Sequence, residues 1–280
     1  MQRAYVMLEN VQVSIELPAQ DAEILPGVHW GRLEAFPTPA YWAYQVIARR
    51  IASQTVRYKL GATLREEVGA CLLGGHGIPA SIGLVAFEHL KRKGVFAGDP
   101  PNEQDLRQWL SEPMAIGDRQ VHYRFASQKA RYLAAALHKI ASEAAPCSGR
   151  ALRDWMTSVP GIGYKTASWI ARNWLEADDV AILDIHILRA GVLAGFLDPD
   201  LTVERHYLQL EEQFLDFSRA MGVKPSELDA IIWLEMARSR ASVERILQAL
   251  PEGKFKQRHA PSRSRIEAGK AHAHQLPLLS

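Results

Sequence analysis

Apolar residues recur at helical spacing along most of the chain, so the pattern predicts a helical protein. The stretches 41–51 and 64–73 are amphipathic, and another helix runs on to Leu90 after a break at Gly-Gly-His-Gly-Ile-Pro, 74–79. Further helices are expected around Glu103–Leu110, over 127–140, and on the face made by Leu152, Trp155 and Met156. The pattern continues from Tyr164 to Trp174, over 201–221, and from Pro225, well placed at a helix start, to about Leu250. Residues 1–36 are the least helical part. Only 10–18 alternates at period two there, as a strand would, with no evident partner.

The most informative break lies at 159–164. Pro160 and Gly161 end one helix, and Gly161 and Gly163 permit a tight hairpin whose bare backbone can approach another molecule closely. The next helix starts near Tyr164, and its amide N–H groups form a ready anion site, with a nucleic-acid phosphate as the obvious anion. Lys165 lies in its first turn, where the helix dipole disfavours an ammonium and partial burial would favour the neutral amine, a nucleophile for carbon. Asp184 follows nineteen positions later. The helix rises about 15 Å at roughly 1.5 Å per residue. The return segment 177–183 spans roughly 20 Å at about 3.3 Å per residue, enough to bring Asp184 back beside Lys165. An amine and a carboxylate together are what displacing a base from a sugar requires. On the hairpin alone, a non-catalytic DNA-binding module is favoured, with Lys165 on phosphate and Asp184 a helix N-cap. The Lys–Asp spacing, with the apolar run that feeds Asp184, reverses that preference.

Composition narrows the class less than the motifs do. Lys and Arg number 33 against 31 Asp and Glu, a formal charge of +2, so any basic surface must come from local placement. The two cysteines, Cys71 and Cys147, exclude a four-cysteine iron–sulfur cluster and argue against a disulfide framework. No apolar run reaches membrane-spanning length, and the first residues lack a signal-peptide layout. A soluble protein of a reducing compartment, the cytoplasm, is expected. The tail 251–280 carries Lys254, Lys256, Arg258, Arg263, Arg265 and Lys270 against Glu252 and Glu267, and reads as a mostly disordered, phosphate-tracking arm.

Four separated segments carry a resemblance: Gly-Ile-Gly-Tyr-Lys-Thr-Ala-Ser at 161–168, Asp-Val-Ala-Ile-Leu-Asp-Ile-His-Ile-Leu-Arg at 179–189, Tyr-Arg-Phe at 123–125, and Ser-Glu-Leu-Asp-Ala-Ile-Ile-Trp at 226–233. In this order they resemble the helix-hairpin-helix DNA glycosylases, and most of all the short archaeal and bacterial 8-oxoguanine DNA glycosylase/AP lyases, over roughly residues 60–240. The resemblance implies an all-α fold of two helical subdomains around a DNA-binding cleft. The expected boundaries are an N-terminal extension, 1–36, possibly with β structure; a glycosylase domain, 37–250; and the tail. Within the domain, 60–125 plus 225–250 form one subdomain and 126–222 the other.

The resemblance also implies roles. Lys165 and Asp184 are catalytic. Gly161, Gly163 and His76 meet DNA, His76 being the one large side chain in a loop that fills the gap left by an extruded base; a plain helix–helix turn is the alternative there. Phe125 and Trp233 sandwich the flipped purine, where core packing is the ordinary role of an aromatic. Asp229, four residues before Trp233, accepts from the purine edge, and Trp169 faces the pocket or packs between helices. The implied partner is double-stranded DNA with a damaged or modified purine, bound by a monomer with no membrane contact. No redox cofactor or catalytic metal is implied. Two other readings stay open: a glycosylase for another modified purine, such as a 7-deazaguanine in a defence pathway, and a non-catalytic hairpin DNA-binding protein.

Overall fold

A computed structural model describes residues 1–53, 59–75 and 77–249. His76 and the tail therefore lie outside the described residues. The chain opens with an antiparallel hairpin, β1 (Gln2–Leu8) and β2 (Val11–Leu17), in which Ala4 faces Ile15 and Val6 faces Val13. β1 is the partner that the alternation at 10–18 lacked. A second small hairpin follows, β3 (Glu23–Leu25) and β4 (Val28–His29), and then α1 (Pro39–Ile51). Thr38 caps α1 by accepting from the Tyr41 amide, and Pro39 fills the first helical position, where no donor is needed.

Next come α2 (Leu64–Leu73), α3 (Ala80–Arg92) and α4 (Glu103–Ser111). A hairpin that periodicity did not reveal follows, β5 (Met114–Ile116) and β6 (Arg119–Val121), turned at Gly117 with φ 57°. Each strand has three residues, too few for alternation to register. After it come α5 (Ala126–Ser142), α6 (Gly149–Thr157), α7 (Tyr164–Leu175), α8 (Ile185–Ala194) and α9 (Val203–Met221). The expected last helix is two, α10 (Pro225–Arg238) and α11 (Arg240–Ala249), broken at Ser239. The break turns Val243 to 2% exposure, which gives α11 its own buried anchor.

The chain divides into two compact units, residues 58–182 and residues 1–57 with 183–280. The division differs from the one expected from the sequence. Segments 60–125 and 126–182 share one unit, because α5 packs on α2 and α4, and α7 packs on α2 and α6. The N-terminal extension shares the other with 183–249, because α1 packs on α10 and β3 on α9.

In the 58–182 unit, Leu72, Leu73, Leu90, Leu106, Leu110, Leu133, Leu137 and Ile170 are fully or almost fully buried. Glu67 sits among them and is satisfied from several directions. It accepts from the amides of Leu60 (2.7 Å) and Gly61 (2.8 Å) and from the side-chain amide of Asn173 (2.8 Å), which ties α2 to α7. Burial, together with Glu67, pushes the neighbouring Cys71 thiol well up, out of the reactive range. In the other unit, Trp42, Phe214, Phe217 and Ile232 are core residues, and Phe196 stacks on Phe217 with centroids 3.7 Å apart. Arg50 pairs with Glu227, and Arg49 with Glu235 at 3.5 Å, joining α1 to α10. Among the described residues, no helix is long and apolar enough to cross a membrane.

Candidate active site

The hairpin between α6 and α7 is held from below. Ile162, between the two glycines, is 4% exposed and acts as an apolar peg. The Ile162 amide donates to the Val159 carbonyl (3.1 Å), and the Ala167 amide to the Gly163 carbonyl (3.0 Å), the first bond of α7. The glycines differ. Gly161 has φ 81°, and a methyl group there would lie 2.2 Å from the Tyr132 ring of α5. Gly163 caps α7 with φ −89°, and a methyl group there would meet nothing within 4 Å. Without a side chain, Gly163 places no capping oxygen over the first amides of α7.

Lys165 is exposed in the first turn of α7, not partly buried. The physical reason is the face it occupies: Ala167 and Ser168 turn inward while 163–165 face out. Trp169, one turn on, is half-buried, and its ring would meet a Cβ on Gly74 at 3.6 Å. It therefore lies against the start of the glycine-rich loop at Gly74. Phe125 is half-buried before α5 and reaches the same loop, 3.9 Å from where a Cβ on Gly77 would be. The Arg124 guanidinium lies 5.3 Å from the Phe125 ring centroid. A cavity of about 490 Å³ opens beside Phe125, with His122, Arg124, Ser127 and Gln128 in its wall. Phe125, Trp169 and the loop from Gly74 thus come together within the 58–182 unit. His76, expected in that loop, lies outside the described residues.

Two residues there were given no role from the sequence, although Tyr123 lies in the Tyr-Arg-Phe segment. Tyr123 Oη donates to the Leu73 carbonyl (2.7 Å), and Lys129 Nζ to those of Leu72 (2.6 Å) and Gly74 (3.3 Å). Burial pushes the Tyr123 hydroxyl up, which keeps it a donor, and lowers the Lys129 ammonium from its ordinary range.

The other unit carries Asp184, Asp229 and Trp233. Asp184 is the N-cap of α8: its Oδ1 accepts from the amides of His186 (2.8 Å) and Ile187 (3.1 Å). Capping and catalysis are compatible, because two amides on one carboxylate oxygen fix where the group points. The His186 ring meets that of Trp233 edge-on, centroids 6.5 Å apart. Trp233 is 49% exposed, unlike a core tryptophan. Asp229, one turn earlier on α10, is 3% exposed. His186 was the missed member of this group; its place two residues after Asp184 was the available signal. Among the described residues, no three His, Cys, Asp or Glu side chains gather as they would around a metal ion.

Residues 51–223, more than half of the chain, match the family model Ogg-HhH, 8-oxoguanine DNA glycosylase. The chain belongs to this family. It is similar to the 8-oxoguanine DNA glycosylase/AP lyase of Methanocaldococcus jannaschii, with 42% identity over 78 residues, 27% of this chain and 37% of that protein. It is similar also to the protein of the same name from Fusobacterium nucleatum, with 33% identity over 88 residues, 30% of this chain and 41% of that one. The chain thus spans about two fifths of the length of the curated relatives it matches. In fold it resembles the crystal structure of the Methanocaldococcus jannaschii 8-oxoguanine DNA glycosylase, with TM-score 0.52 and 23% identity over 71% of this chain and 94% of that one. The Ogg-HhH match takes in the hairpin, Lys165 and Asp184. It stops short of Asp229 and Trp233, and it begins after β1–β4.

Proposed function

We propose that this protein is a bifunctional DNA glycosylase/AP lyase that removes 8-oxoguanine from double-stranded DNA. One observation carries the reading: in an Ogg-HhH chain, an exposed lysine stands in the first turn of the helix that leaves the glycine hairpin. The backbone around Gly163 takes a phosphate, which fixes the register of the duplex without reading sequence. The lesion is flipped out, at least cost where pairing is weakened. The neutral amine of Lys165 attacks C1′ of the flipped nucleotide. The bond from C1′ to the base breaks, its electron pair leaves with the base, and the base takes up a proton. Asp184 stabilises positive charge as it develops on the sugar and accepts the proton that the amine releases. The sugar ring opens to an imine on Lys165. Loss of a C2′ proton then expels the 3′ phosphate by β-elimination. Phe125, Trp169 and Trp233 supply stacking surfaces for the base, and Asp229 a hydrogen-bond acceptor. The protein acts as a monomer, with its workplace on the nucleoid.

The test is reductive trapping. Borohydride added to the protein and an 8-oxoguanine duplex should give a covalent complex that maps to Lys165, and Lys165→Gln should give none. No trapped complex, or one on another lysine, overturns the assignment. A second reading keeps the chemistry and changes the base, to another modified purine such as a 7-deazaguanine acted on in a defence pathway. It is favoured by the position of Asp229 and Trp233 beyond the family match. Excision from a panel of modified duplexes separates the two.

A further inference from the structure

The C-terminus of α2 is finished by side chains that come from a distant part of the chain. A helix leaves its last four carbonyls without intrahelical partners, and most ends give them to water or to a following glycine turn. Here three successive carbonyls each receive a side-chain donor. Lys129 Nζ bonds to Leu72 (2.6 Å) and Gly74 (3.3 Å), and Tyr123 Oη to Leu73 (2.7 Å) between them. Tyr123 is 4% exposed and Lys129 half-buried. The ammonium also sits at the negative end of the α2 dipole, where a cation is favoured.

The two donors flank Phe125 in the chain, and the Lys129 amide donates to the Phe125 carbonyl (2.9 Å). The same bonds therefore fix two things at once: where the loop leaves α2 at Gly74, and where Phe125 stands against it at Gly77. Trp169 closes on Gly74 from α7. Gly83 of α3 leaves no slack behind, since a Cβ there would lie 3.1 Å from Gly74 Cα.

We propose that Lys129 and Tyr123 are positioning residues for base excision, a clamp that holds the loop from Gly74 at a fixed distance from Phe125 and Trp169. This rests on the glycosylase reading, in which those aromatics meet the flipped base. Neither residue touches the reacting atoms. A binding surface must hold its geometry to within about 0.5 Å, and hydrogen bonds to backbone carbonyls supply that stiffness where glycines do not. The clamp matters only while a base is in place. Strand cleavage at a preformed abasic site has no base to stack, so it proceeds through Lys165 without calling on those aromatics.

The experiment compares two reactions of the full-length protein. Lys129→Met should slow excision of 8-oxoguanine by roughly ten- to a hundred-fold, the scale of a misplaced substrate, while cleavage of an abasic duplex stays within about two-fold. Lys129→Arg, which keeps the charge and the donors, should recover part of the excision rate. Tyr123→Phe should act in the same direction, more weakly. Amide exchange gives an arm that needs no DNA. The Ile78 amide, which donates to the Gly75 carbonyl (3.1 Å), should exchange faster in Lys129→Met than in wild type. Unchanged exchange overturns the clamp. So does an equal fall in both reactions, or no recovery with arginine. If the wild type neither excises nor traps, the glycosylase reading falls, and exchange at Ile78 alone decides whether the clamp exists.

Discussion

A methyl group on Gly161 would lie 2.2 Å from the ring of Tyr132, whereas one on Gly163, two residues on, would touch nothing. The two glycines of the hairpin thus serve different ends. Gly161 is needed by the fold, for its φ of 81° and for the ring packed over it. Gly163 is bare towards the outside, where a phosphate would approach.

Gly161→Ala should therefore destabilise the protein by about 2–4 kcal/mol, from the left-handed backbone and the displaced ring together. Gly163→Ala should cost no more than about 1 kcal/mol, the scale of a changed N-cap. Yet it should weaken binding to lesion-bearing and undamaged duplex alike. Thermal melting and binding at one fixed salt concentration separate the two effects. A Gly163→Ala protein that binds duplex as wild type does would remove the hairpin from the phosphate contact.

Asp184 offers a clean isolation of charge. Asparagine caps a helix as well as aspartate does, so Asp184→Asn should keep the bonds to the His186 and Ile187 amides and fold normally. Binding to damaged duplex should persist, because the carboxylate acts on charge that exists mainly in the transition state. Single-turnover excision should fall by roughly a hundred-fold or more, as when one stabilising group is removed from a developing charge. Excision near the wild-type rate would leave Asp184 as a cap and nothing else.

The helices were legible in the sequence because each buries a continuous apolar stripe, and α2 and α9 fall where the periodicity put them. The hairpin and Asp184 were legible because two glycines and an N-cap have local signatures. What stayed hidden depends on contacts made far along the chain. Tyr123 meets Leu73 from fifty residues away, and Lys129 meets Leu72 from fifty-seven, with nothing at either end to announce the pairing. β1 went unpaired for a related reason: Arg3, Tyr5 and Met7 on its outer side are exposed, and mixed polarity there blurs the alternation. The packing of α5 and α7 on α2 was hidden too, because it is not a property of any local stretch.

Trp233 carries the last prediction. It is 49% exposed on α10, its ring edge-on to His186, which itself donates an amide to Asp184. A large aromatic left half in solvent, with its ring against His186, offers a face on which a flat ligand would stack. Trp233→Ala should therefore melt close to wild type. It should lose about 1–3 kcal/mol of affinity for a lesion duplex, the usual worth of one stacked base. Affinity for the matched undamaged duplex, set chiefly by phosphate contacts, should barely change. Asp229 serves as the internal contrast. At 3% exposure its removal disturbs a buried group, so Asp229→Ala should lower the melting temperature where Trp233→Ala does not. The measurement is binding of both variants to paired oligonucleotides that differ only in the lesion, at one salt concentration, with melting curves alongside. Equal weakening of Trp233→Ala on both duplexes would return Trp233 to a general DNA contact. A collapsed melting temperature would make it structural, and either result would remove the stacking surface from α10.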